Sequence, residues 1–145
     1  MTELEMKKYS RNALLGSFVS MLTAGLATMM YSVSISTIRT DLALTAVQAG
    51  SLGTYTFMGQ MLGGMVAGYL ADRYGRKNIL IVDVILATLA VFATSLLQSY
   101  SIFGILRFIT GVGLGGCYYI ASILIGEFVP TNKRGFMSGV ATSVW

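Results

Sequence analysis

The feature that most restricts this chain is a series of apolar runs too long for a water-soluble fold to hide. They lie at about residues 13–38, 47–71, 79–97 and 102–129, and a fifth begins near residue 136 and runs to Trp145. A helix rises about 1.5 Å per residue, so roughly 20 mainly apolar residues cross a hydrocarbon core ~30 Å thick. The first four runs meet that length and the fifth does not. Charged residues make up only 11% of the chain, against about 25% in an ordinary soluble domain. These features predict an all-α polytopic membrane protein. Four transmembrane helices and the start of a fifth form residues 13–145, after a short segment over residues 1–12.

The lipid bilayer is therefore the first expected partner. Histidine is absent and Cys117 is the single cysteine, which excludes disulfide frameworks, zinc sites and histidine-dependent triads within one chain. No cofactor, metal or enzyme chemistry is expected. The net charge of +4 sits in short clusters between apolar runs rather than on a basic face, so nucleic acid is not expected either. Lys7, Lys8 and Arg11 precede a run of about 26 residues; a signal peptide would carry only about 7–15 apolar residues, so the first run reads as an uncleaved span.

Basic residues also predict orientation, because cytoplasmic loops carry the excess of Lys and Arg. Lys7, Lys8, Arg11, Arg73, Arg76, Lys77, Lys133 and Arg134 fall on one side, which is eight of the ten basic residues. Arg39 alone falls on the other, the Gln98-Ser99-Tyr100 loop has none, and Arg107 lies inside the fourth run. The N-terminus is expected to be cytoplasmic, in an inner or plasma membrane.

Between the second and third runs stands Gly68-Tyr69-Leu70-Ala71-Asp72-Arg73-Tyr74-Gly75-Arg76-Lys77. Gly68 permits close approach of a neighbouring helix, and Gly75 can take the left-handed backbone of a short turn. Asp72 can pair with Arg76 or meet the positive N-terminus of another helix. The three basic residues can also serve as plain positive-inside anchors. The segment resembles the loop signature of the major facilitator superfamily, G-x-L-A-D-R-x-G-R-K, at every specified position. That resemblance implies a gating role for Gly68, Asp72, Arg73, Gly75, Arg76 and Lys77, through contact with the other half of a twelve-span carrier.

Arg107 lies about one and a half turns into an apolar helix, where it either faces the protein interior or snorkels to the near interface. At 100° per residue it shares a stripe with Gly111, Leu114, Tyr118 and Ser122, a candidate cavity wall. The run from Arg107 to Gly116 resembles the second family signature, R-x-x-x-G-x-G-x-G/A, which implies solute binding or proton coupling for Arg107. Glu127, Pro130, Arg134 and Gly135 resemble an E-x-x-P-x-x-x-R-G run of the same family. A charge network of Asp72, Arg76, Glu127 and Arg134 follows as an expectation, with solvated helix ends as the alternative. Gly59-x-x-x-Gly63 and Gly64-x-x-x-Gly68 suit helix packing. Asp83 is expected to snorkel or to pair with a motif arginine, with a proton relay as the alternative. Tyr55, Thr56 and Gln60 can face either a cavity or another helix.

Leu106-Arg107-Phe108 and the Ser34 to Leu44 connection resemble the proton-coupled carriers of aromatic acids and related metabolites. The D-G-x-D pattern usual in the first span of that group is replaced here by Ala24-Gly25-Leu26-Ala27. Ser20, Ala24, Ala27 and Tyr31 share one nearly neutral stripe, with Tyr31 a candidate cavity residue. The resemblance implies the N-terminal portion of a secondary active transporter. It would move a small organic solute by alternating access and proton symport, together with a C-terminal half that lies beyond these four spans. A small non-transport membrane assembly protein and an oligomeric mini-carrier are the alternatives.

Overall fold

The computed structural model of the protein describes residues 3–96, 99–129 and 131–143, without the side chains at 3–10, 12, 13, 131, 133 and 141. Leu97, Gln98, Pro130 and Trp145, and the side chains of Lys7, Lys8 and Lys133, lie outside the described residues. Five helices follow in order: α1 (Glu3–Asp41), α2 (Ala46–Tyr74), α3 (Arg76–Leu96), α4 (Tyr100–Phe128) and α5 (Thr131–Thr142). The fifth begins five residues before the expected 136, because the polar run after α4 is itself helical.

Local chemistry sets the helix ends. After α1 the Leu44 N–H donates to the Arg39 carbonyl and the Ala43 N–H to the Thr40 carbonyl, while Ala43 turns through φ 49°. This is the Schellman geometry of a helix end, carried here by alanine instead of the usual glycine. Thr45 then opens α2 with a capping box, accepting from the Gln48 N–H while its own N–H donates to the Gln48 side chain. Gly75 alone separates α2 from α3. Its N–H donates to the Ala71 carbonyl and its carbonyl accepts from Ile79, so one residue closes one helix and opens the next. The φ is positive at 89°, as expected, but ψ is 133°, extended rather than left-handed helical.

Leu14–Asp41, Arg76–Leu96 and Tyr100–Phe128 are long and apolar enough to cross a membrane. α2, expected as the second span, is as long as α4 but falls short in composition. Glycines and Gln60 stand where apolar side chains would otherwise raise its hydropathy, and the reason is α4. A Cβ at Gly59 or Gly63 would collide with the carbonyls of Phe108 or Val112, and one at Gly111 or Gly115 with those of Thr56 or Gln60. The two backbones therefore touch along alternating glycines, as small residues permit in membrane bundles.

α4 is the hub, packed against each of the other helices. Its buried face includes Arg107, Thr110, Gly111, Gly113, Leu114, Gly116, Cys117, Ile120 and Ile125. The outward surface is apolar, with Phe57, Met61, Met65 and Tyr69 exposed along one stripe of α2. In water such a surface would drive aggregation; in hydrocarbon it costs nothing.

Candidate functional site

Arg107 is 8% exposed and so faces the interior of the bundle. Its guanidinium carbon lies 3.9 Å from the Tyr31 ring centroid and 5.2 Å from that of Phe103. The π faces replace part of the lost hydration, an effect of about 2 kcal/mol when desolvated. Nε makes no hydrogen bond among the described residues. Both residues line a cavity of about 430 Å³ bounded by α1, α3 and α4, with Ser34, Asp41, Thr94, Ser95 and Phe103 also in its wall. The volume is that of a small-ligand site. Its chemistry is a cation backed by aromatic rings and flanked by hydroxyls, with Asp41 at the rim end of α1.

The expected cavity stripe on α4 does not face a single space. Arg107 lines this cavity and meets Tyr31. Gly111 does not, because it is pressed against the Thr56 backbone of α2. Tyr118 lies on an outer groove between α2 and α4 with Gln60 and Gly115. Ser122 is half-buried and is not in the Arg107 cavity wall. The stripe rule fails because α4 is covered on several sides, so one angular sector does not face one space. Tyr55, Thr56 and Gln60, left open between cavity and helix, meet α4: Tyr55 packs beside Gly104, and the other two contribute backbone to the glycine contacts. Phe103 could have been found from its position four residues before Arg107. Thr94 carried no signal in the sequence.

A second cluster sits where α2 and α4 end and α3 begins. Arg76 forms an ion pair with Glu127, and its Nη2 lies 3.8 Å from Asp72 Oδ1. Asp72 keeps 76% of its side-chain surface exposed, and Arg73 and Lys77 are exposed as well. The Arg73 guanidinium lies 5.8 Å from the Tyr74 ring centroid. Gly68 faces Tyr119, whose ring would stand 2.8 Å from a Cβ there. Arg134 does not join the network. Its Nε donates to the Val129 carbonyl at 3.2 Å, satisfying a carbonyl where α4 ends, because α5 starts at once and turns the side chain back.

Asp83 also departs from expectation. It lies two turns inside α3 at 7% exposure, away from the loop arginines. The backbone of α3 approaches α4 so closely there that a Cβ at Gly113 would stand 2.7 Å from the Asp83 carbonyl.

The profile of the Major Facilitator Superfamily matches residues 17–145, which hold both of these clusters. The chain belongs to the Major Facilitator Superfamily. Over 133 residues it is 34% identical to a cis,cis-muconate transport protein of Acinetobacter baylyi, covering 92% of this chain and 32% of that protein. Over 145 residues it is 30% identical to an inner membrane metabolite transport protein of Escherichia coli, covering 100% of this chain and 33% of that protein. A niacin transporter of Acinetobacter baylyi is 33% identical over 111 residues, 77% of this chain and 25% of that protein. The chain thus spans about a third or less of the length of these curated relatives. As a member of this superfamily it is an integral membrane protein of a transport family, with the loop signature at Gly68 to Lys77 closing the second helix onto the third.

Proposed function

We propose that this chain is the N-terminal part of a carrier that moves a small organic anion by alternating access coupled to a proton gradient. Its N-terminus, α2–α3 turn and α4–α5 turn then lie on the cytoplasmic side, in keeping with the distribution of Lys and Arg. The observation that carries the reading is the buried Arg107, held against Tyr31 in a cavity of about 430 Å³ with an unpaired Nε. No acid partners this guanidinium among the described residues. A carboxylate solute entering the cavity would supply the missing charge, and a conjugated one would stack on the same rings. Relatives named for muconate and niacin transport, both carboxylate solutes, support an organic acid over a neutral metabolite. Arg76, Glu127 and Asp72 form the cytoplasmic gate in this reading, with Arg73 and Lys77 free to meet the second half of the carrier.

The test is uptake of labelled cis,cis-muconate, nicotinate and uncharged metabolites of similar size into energised vesicles. These carry the protein expressed from its full reading frame, with and without an uncoupler. Charged hydrogen bonds are worth about 1.5–3 kcal/mol, so Arg107→Gln should weaken apparent affinity for the acids by roughly 10- to 100-fold. Preference for the uncharged set, or acid uptake indifferent to Arg107→Gln, rejects the anion reading. Uptake unaffected by the uncoupler rejects proton coupling alone.

A further inference from the structure

We propose that Asp83 is a proton-binding site, holding its proton while α3 and α4 are packed as seen here and releasing it toward the Arg107 cavity when they part. The carboxyl is sealed by backbone and small side chains. Its Oδ2 has no hydrogen-bond partner among the described residues, and it lies so close to Gly116 that a Cβ there would overlap it, with Ala67 of α2 against the same point. An ionised carboxylate in that position would stand in an apolar bundle with neither a cation nor a donor on that oxygen, a costly arrangement. A protonated one would not.

Among the described residues no ion pair reaches Asp83. From α4 the titratable group facing it is Cys117, from α2 the contact is Ala67, and no cation lies within salt-bridge distance among the described residues. α1 faces this region across a small cavity of about 90 Å³, to which it brings Ser20 and Thr23 but no acid or base. Cys117, together with Val84 and Ala87 beside Asp83 on α3, forms the opposite wall. That space has the volume of a few waters but a mainly apolar wall, and Val91 lines both it and the Arg107 cavity. A proton leaving Asp83 would enter this space only once the helices part and water reaches its Ser20, Thr23 and Thr88 hydroxyls. The carboxyl O–H breaks, the proton passes to a water beside the Ser20 and Thr23 hydroxyls, and the carboxylate remains on α3. The use of this proton in transport rests on the coupling reading above; its presence on Asp83 does not.

Dicyclohexylcarbodiimide reacts with protonated carboxyls that lie in apolar surroundings. The purified protein in vesicles would be treated from mildly acidic to alkaline pH and the adduct located by mass spectrometry. Infrared spectra recorded in parallel would show the C=O stretch of a protonated acid. The expected result is an adduct on Asp83 at neutral pH, absent from exposed Asp72 and Glu127 and lost at alkaline pH. A protonated-acid band should be present in the wild type and missing in Asp83→Asn. A wild-type protein with neither adduct nor band at neutral pH overturns the proposal, and that result needs no variant to fold. An Asp83 adduct in a protein whose uptake ignores the uncoupler leaves the proton site standing and removes the coupling.

Discussion

A guanidinium buried in an apolar bundle needs an anion or a polarisable surface around it, and at Arg107 two rings supply the surface. The contribution of the nearer ring can be separated from that of its hydroxyl. Tyr31→Phe keeps the face 3.9 Å from the guanidinium carbon, so stability should change by less than about 0.5 kcal/mol. Tyr31→Leu removes the quadrupole and should cost about 1–2 kcal/mol, read as a lower unfolding temperature in detergent micelles. Equal losses in both variants would mean that the hydroxyl, and not the ring, holds Arg107. Arg107→Lys tests the same point from the other side. An ammonium is a compact, strongly hydrated charge without the planar fork, so it should not restore acid uptake. Part of this pair was legible beforehand, since Arg107 and Tyr31 each stood out on their own helix. Nothing in the sequence said that they meet, because contacts between helices depend on how closely the backbones approach. The same gap hid the surroundings of Asp83: its nearness in sequence to the loop suggested snorkelling or a pair with a motif arginine, whereas α4 glycines allow α3 to close over it.

At the scale of the helices, the order of elements and the tight α2–α3 turn could be read from run length, charge and Gly75. What could not be read was which glycines carry contact and which are merely tolerated. Gly63 and Gly64 are neighbours in sequence and differ completely in the fold. A Cβ at Gly63 would collide with the Val112 backbone, while one at Gly64 would meet its nearest atom, the Gly115 carbonyl, at an ordinary 3.7 Å. Backbone cannot rotate away as a side chain can. Gly63→Ala and Gly111→Ala should therefore force α2 from α4 and cost about 1–3 kcal/mol or more. Gly64→Ala should be neutral or gain up to about 1 kcal/mol from helix propensity. Thermal unfolding followed by circular dichroism separates these cases. Comparable behaviour at positions 63 and 64 would show that the close α2–α4 register is wrong.

For the whole molecule the question is what the cluster at the ends of α2, α3 and α4 does when the bundle moves. Arg76 ties the start of α3 to the end of α4 through Glu127, and Asp72 stands one helical turn away on the other side of Gly75. The side chains of Arg76 and Glu127 remain 30% and 49% exposed, so solvent screens the pair and its net worth is about 0–1 kcal/mol. That is too little to hold a fold together and enough to bias two conformations, since 1 kcal/mol changes a population ratio about fivefold. A gate needs that range, because a stronger lock would not open at thermal energies. Ser122→Cys in a Cys117→Ala background reports access to the interior of α4 from this end, through its rate of reaction with a water-soluble thiol reagent. Glu127→Gln should raise that rate by up to about fivefold, and raised salt should do the same to the parent by screening the pair. Exchanging the charges, Arg76→Glu with Glu127→Arg, should bring the rate back toward the parent, whereas each single reversal should not. Asp72→Asn should act more weakly, because its carboxylate is mostly in solvent at 3.8 Å. Rates that ignore Glu127→Gln and salt alike would reduce the cluster to a solvated helix end, and the gate would then have to be built from the exposed Asp72, Arg73 and Lys77 against another part of the carrier.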